Sequence, residues 1–275
     1  MSPTRRSTRR SLARRGVPRA AALALLLATV TACANDVPEA DWSRGLLPPS
    51  ITTQGDTVTN LWNGAWIAAL ATGAVVIFLI VWACIFHTRR RAKAELPPQV
   101  RYNLPIEIFY TLVPLVMVSV FFFFTARDTR ELDAVSGKPD VQVKVEAFQW
   151  SWRFTTVIGG KTLKPVTGVP VNDYHQGPQL VLPVNKRVEF DLSSPDVIHS
   201  FWVPAFLFKR DVIPGLQEND KGRKFEIVTL NKPGVYAGRC AELCGVDHSR
   251  MLFNVKLVPQ AEYDQYIATQ TGSAQ

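Results

Sequence analysis

The sequence predicts a helical hairpin that crosses a membrane twice, followed by an all-β domain on one side of it. Three observations carry this. Two apolar stretches, Leu61–Phe86 and Leu104–Ala126, are each long enough to span a hydrocarbon core of ~30 Å as a helix. The short segment between them is rich in arginine. From about Val141 onward, short β-prone runs recur between prolines and glycines.

Residues 1–32 carry seven arginines (Arg5, Arg6, Arg9, Arg10, Arg14, Arg15 and Arg19) and no acid, then an apolar run and a small-residue end. This is the form of a secretory signal. The whole chain of 275 residues has a net charge of +8, and removing that segment leaves about +1. Val30-Thr31-Ala32-Cys33 resembles a bacterial lipobox, which would make Cys33 the lipid-bearing first residue. Ala32-Cys33-Ala34 equally suits ordinary signal cleavage, so both readings stand. Residues 33–60 are expected to form an external N-terminal segment.

Residues 61–127 form the hairpin. The first span holds no charged residue, and Trp62, Trp66 and Trp82 lie towards its ends, where amphipathic rings favour the interface. The second holds one charge, Glu107. A carboxylate inside a span is costly and usually functional, although Glu107 is close enough to the end to reach headgroup water. The loop 87–103 carries Arg89, Arg90, Arg91, Lys93 and Arg101 against Glu95 alone. The positive-inside rule places it in the cytoplasm and both chain ends outside. The basic pI therefore reports export and threading, and a nucleic-acid partner is excluded. Cys84 in the first span reads as a small apolar residue.

Residues 128–275 are expected to be the external β domain. Strands are predicted over 141–145, 148–156, 179–182, 187–192, 225–230, 235–239 and 253–258, with a loop over 157–178 and a terminal helix over 260–268. Val141–Val145 and Arg187–Leu192 alternate strictly, so each is expected to have one wet face.

The chemistry is concentrated in Cys240-Ala241-Glu242-Leu243-Cys244-Gly245-Val246-Asp247-His248-Ser249-Arg250-Met251, with a second imidazole upstream at His199. Thiolates with imidazole select copper, zinc or iron–sulfur, and a thioether is a common weak axial ligand for copper. A Cys240–Cys244 disulfide leaves His199, His248 and Met251 unused. A Cys₂His₂ zinc site leaves Met251 unused. A mononuclear copper site leaves one cysteine idle. Two coppers bridged by both thiolates use every ligand.

The C-x₃-C-x₃-H-x₂-M spacing with a remote D-V-I-H-S resembles the binuclear copper A motif of haem–copper cytochrome c oxidase subunit 2. The resemblance covers nearly the whole mature chain. It implies a cupredoxin fold, a Greek-key barrel, for the external domain. It implies that Cys240 and Cys244 bridge two coppers, that His199 and His248 are terminal ligands, and that Met251 and the Glu242 carbonyl are weak axial donors. It gives the Glu242 side chain a magnesium ion at the interface with subunit 1. Phe148-Gln149-Trp150-Ser151-Trp152 is similar to the family's aromatic run and places Trp150 where electrons arrive, with Ser151 standing where an aromatic is usual. Pro105-Ile106-Glu107-Ile108-Phe109-Tyr110-Thr111-Leu112-Val113-Pro114 places Glu107 at the mouth of a proton pathway.

The implied activity is that of a proton-translocating oxidase. Electrons pass from cytochrome c to this chain and then to haem in subunit 1, where oxygen is reduced, with subunit 3 also in the complex. The setting is a bacterial cell membrane. No dense acidic patch surrounds the expected site, so steering of a basic cytochrome is expected to be weak. The expected donor is then a cytochrome c domain tethered to a bc-type complex within a supercomplex. A copper chaperone, a quinol oxidase subunit and a nitrous oxide reductase domain are the rival readings. His87 and His175 have no expected role at the metal.

Overall fold

The computed structural model describes residues 44–88, 91 and 100–272. The signal segment, Cys33 and most of the loop 87–103 lie outside the described residues.

Helix α1 spans Thr53–Phe86 and α2 spans Leu104–Leu132, and both are long and apolar enough to cross a membrane. Each outruns its apolar stretch because polar residues also propagate a capped helix. The Thr52 hydroxyl accepts from Gly55 N at 3.0 Å and caps α1. At α2, Asn103 Oδ1 accepts from Ile106 N, and Glu107 Oε1 accepts from Asn103 N at 3.0 Å, a reciprocal cap. Large apolar side chains such as Ile67, Leu79, Phe109 and Phe122 are exposed along both helices, as lipid contact requires.

The β domain has eleven strands among the described residues: β1 Val141–Phe148, β2 Ser151–Ile158, β3 Lys161–Thr162, β4 Val166–Thr167, β5 Gln179–Pro183, β6 Arg187–Ser193, β7 His199–Val203, β8 Phe208–Val212, β9 Lys224–Val228, β10 Gly234–Cys240 and β11 Leu252–Val258. Helix α3, Gln260–Gly272, closes the chain. One sheet has the order β3-β2-β1-β6-β9 with β4 also on β2, and the other has β5-β11-β10-β7-β8. Pairs β1/β6 and β5/β11 are parallel and the rest antiparallel. The two sheets face each other in the cupredoxin manner. Aromatic rings join them: Phe190 of one sheet lies 5.4 Å from Phe201 of the other, and Trp152 lies 5.1 Å from Phe253.

The predicted strands are present with ends moved by up to three residues. Four strands lie outside the sequence expectation: the two-residue β3 and β4, within the expected loop 157–178, and β7 and β8. His199 and Ser200 give β7 two polar residues that are nonetheless buried, and Phe-Lys-Arg-Asp-Val is a charged edge strand with no apolar face to read. Strand β1 alternates as expected. Strand β6 does not have its wet face: Glu189 pairs in register with Glu226 of β9, and both are buried. Ser136 and Arg187 donate to Glu226 at 3.0 and 3.1 Å, and Gln142 donates to Glu189 at 3.3 Å, so polar neighbours cover the pair.

Within the 33–60 segment, Ser50–Thr52 pack into the β domain and residues 53–60 already belong to α1. Ile51 N donates to Ala205 O at 3.0 Å, and Leu230 N donates to Ile51 O at 2.9 Å. Thr52 bridges to Thr229, and Lys232 Nζ donates to Ser50 O at 2.6 Å. The Ile51 side chain is part of the core. The start of α1 and the β domain therefore lie on one side of the hairpin. Arg210 of β8 pairs with Asp133, just beyond α2.

Candidate metal centre

Strands β7 and β10 are antiparallel neighbours, so the first residue of β7 and the last of β10 meet at one end of the sheet. These are His199 and Cys240. The loop from Ala241 N, which donates to Ser200 O at 3.1 Å, turns back through Cys244 and a 3₁₀ turn at His248–Arg250 into β11. Met251 opens that return.

The donors fall into two matched sets. Cys240 Sγ lies 3.9 Å from His199 Nδ1 and 3.2 Å from the Glu242 carbonyl oxygen. Cys244 Sγ lies 3.5 Å from His248 Nδ1 and 3.8 Å from Met251 Sδ. The two sulfurs are 3.9 Å apart. That is too far for a disulfide, whose sulfurs sit at about 2.0 Å, and close enough for both to reach a shared metal at ~2.3 Å. His199, Cys240, Cys244 and Met251 are buried, and His248 is half-buried. Each half offers a thiol, an imidazole and a weak donor. A single tetrahedral zinc leaves Met251 and the Glu242 carbonyl without purpose, and one copper leaves a thiol idle. Two coppers fit the set.

The thiols do not lose protons equally. Burial opposes ionisation of Cys240, but hydrogen bonding with His199 and with the backbone at Glu242 and Ser200 outweighs it and lowers its pKa. Burial pushes Cys244 up to about 12, helped by charge on Cys240. His199 is raised: burial works against its charged form, but Cys240 and Asp196 favour it. Both shifts favour protons, on Cys244 and on His199, that a bound cation must displace.

Asp196 fixes His199. Its Oδ1 lies 2.8 Å from His199 Nε2, leaving Nδ1 towards the sulfurs, and it also accepts from Val197 N at 2.6 Å. Trp150 lies against the loop: its indole Nε1 donates to Cys244 O at 3.0 Å. Gly245 permits this, because a Cβ there would sit 2.8 Å from that nitrogen, and its φ of +126° favours glycine. Trp152 is buried, and its indole donates to Met251 O at 3.2 Å. The two tryptophans thus hold the ligand loop at Cys244 and at Met251.

The structure brings together His199, Cys240, Glu242, Cys244, His248, Met251 and Trp150. The Glu242 side chain is exposed. Glu107 stands apart at the far end of α2, more than ~35 Å away along a helix rising 1.5 Å per residue. His175 is exposed and packs on Tyr174, and His87 ends α1. Sequence reasoning gave no role to Asp196 or Gln149. A carboxylate three residues before a ligand histidine is the signal for Asp196, whereas nothing in the sequence marks Gln149.

The sequence profile described as cytochrome c oxidase subunit II, periplasmic domain, matches residues 166–258. A probable cytochrome c oxidase subunit 2 of Streptomyces coelicolor is 46% identical over 97% of this chain and 91% of its own length. The cytochrome c oxidase subunit 2 of Mycobacterium tuberculosis is 33% identical over 90% of this chain and 80% of its own length. The periplasmic domain of subunit II of cytochrome oxidase (CoxB) of Bradyrhizobium japonicum is 30% identical, with a TM-score of 0.43, over 50% of this chain and 98% of that one.

Proposed function

Because the chain belongs to the cytochrome c oxidase subunit 2 family, we propose that it accepts electrons from a cytochrome c at a binuclear copper A centre and delivers them to haem in subunit 1, where oxygen is reduced to water and protons are pumped. The observation that carries this reading is the pair of matched donor sets, Cys240–His199–Glu242 O and Cys244–His248–Met251, around two sulfurs 3.9 Å apart. Two coppers held there supply a one-electron carrier delocalised over both metals.

The protein's own residues do the rest. The buried position of His199, Cys240, Cys244 and Met251 excludes water from most of the shell, so little solvent reorganises when charge arrives. Asp196 orients His199, and Trp150 offers a half-exposed π-system bonded directly to the Cys244 main chain. Electrons arrive through Trp150. The exposed Glu242 carboxylate takes magnesium together with groups from subunit 1, consistent with the few protein carboxylates that ion prefers. Glu107, at the opposite end of α2, stands at the mouth of a proton pathway in subunit 1. Subunits 1 and 3 cover the exposed apolar faces of the hairpin.

The same side of the hairpin holds the start of α1 and the β domain, and the arginine-rich sequence between the spans supports an orientation with both outside the cell membrane. Cys33 is the lipid-bearing residue of the mature chain. Charges beside the ligand loop are largely paired, Arg250 with Asp247 and Arg153 with Glu146. That balance favours a donor that is tethered, as a cytochrome c domain of a bc-type complex in a supercomplex, over one gathered by long-range attraction. Metal analysis and an EPR spectrum of the purified chain test the centre. Two coppers with a delocalised mixed-valence signal are expected, and zinc or a single copper would overturn it.

A further inference from the structure

Gln149 touches both halves of the centre without being a ligand. Its main-chain N–H donates to Asp196 Oδ2 at 2.7 Å, and Asp196 holds His199. Its side-chain Nε2 donates to Cys244 O at 2.9 Å, the same carbonyl that accepts from Trp150 Nε1. A carbonyl oxygen has two lone pairs, and here both are taken by donors from one turn between β1 and β2. That turn is thus bonded to the remote histidine's support on one side and to the cysteine loop on the other.

We infer that Gln149 is a positioning residue for electron arrival: it fixes the Cys244 carbonyl, and through it the Trp150 indole, against the ligand loop. The inference rests on the copper reading above. The Gln149 side chain is exposed, so in the free chain water competes for its bond. A donor protein seated over Trp150 excludes that water and strengthens both bonds. The indole is then held most firmly when the donor is in place.

The test uses the copper-loaded full-length chain in detergent, reduced by ferrocytochrome c in a stopped-flow instrument. Gln149→Met keeps the side-chain length and the main-chain N–H but removes the side-chain donor. Copper content and the EPR signal should be unchanged, while reduction slows roughly fivefold, the worth of one hydrogen bond. The double variant with Trp150→Phe should be no slower than Trp150→Phe alone, because both act through one carbonyl. A wild-type rate for Gln149→Met, a loss of its copper, or losses that multiply in the double variant would overturn the role of Gln149 alone. A wild-type rate for Trp150→Phe would instead overturn the placement of Trp150, and this inference with it.

Discussion

Strands β7 and β10 run between two ends of the domain that are held in different ways. At the metal end, side chains are fixed by main-chain atoms: Trp150 and Gln149 on Cys244 O, Trp152 on Met251 O. At the membrane end, a three-residue strap is fixed by a buried isoleucine and by pairing with Ala205 and Leu230. Some 20 Å of strand separates them, at ~3.3 Å per residue of β10. The metal end depends on a few irreplaceable donor atoms, whereas the membrane end spreads its energy over packing. The two ends should therefore fail separately.

Replacing Cys240 with Ser should have the largest effect. Copper content should collapse, a loss well beyond the ~10–100-fold of an outer partner, while the metal-free chain unfolds at an unchanged temperature. Metal analysis beside calorimetry checks it; retention of two coppers would break the claim that both sulfurs are shared. Ile51→Ala should do the reverse. It should cost about 2–5 kcal/mol of domain stability and leave the optical spectrum of the folded, copper-loaded chain untouched.

Asp196→Asn sharpens the comparison, since it weakens orientation without removing a ligand. Copper affinity should fall ~10–100-fold, measured by competition with a chelator. The pH dependence of uptake is a further check. Cys244 keeps its proton up to about 12 in the metal-free chain. Copper must displace it, so apparent affinity should rise about tenfold per pH unit for each proton released. A flat profile across neutral pH would mean that Cys244 is already ionised.

The smallest effect is expected from Glu189→Gln, remote from both ends. Burial raises the Glu189 pKa, Lys224 opposes this, and Glu226 and Asp191 add to it. A raised folded value means that the acid's contribution is present at low pH and is lost as pH rises through that value. At neutral pH the ionised group costs stability. The amide should therefore stabilise the domain by up to about 1 kcal/mol at neutral pH, with the gain vanishing in acid. Thermal unfolding at two pH values measures it.

The parts legible in the sequence are those written in side-chain type. The spans announce themselves by composition, and the run from Cys240 to Met251 by its spacing. What escaped acts through the backbone or through topology. Gln149 bonds by its main chain to Asp196, Ile51 is an ordinary isoleucine until Ala205 folds onto it, and β8 is an edge whose charges conceal a strand. Glu189 escaped because alternation reports which side a residue faces, not whether other polar groups lie over that side.

The strap at Ser50–Thr52 also sets an order of events in the making of the protein. Ser50 and Lys232 meet across 182 residues of chain. The first of them leaves the ribosome before either span exists, and the second only after both have been made. The domain can complete its core only when the two segments have been delivered to the same compartment. A chain in which only one of the two spans inserted would leave Ile51 on the far side and the gap at Ala205 and Leu230 open to water. Closure of that gap thus requires that both spans have been inserted, and it is completed by the domain that is translated last.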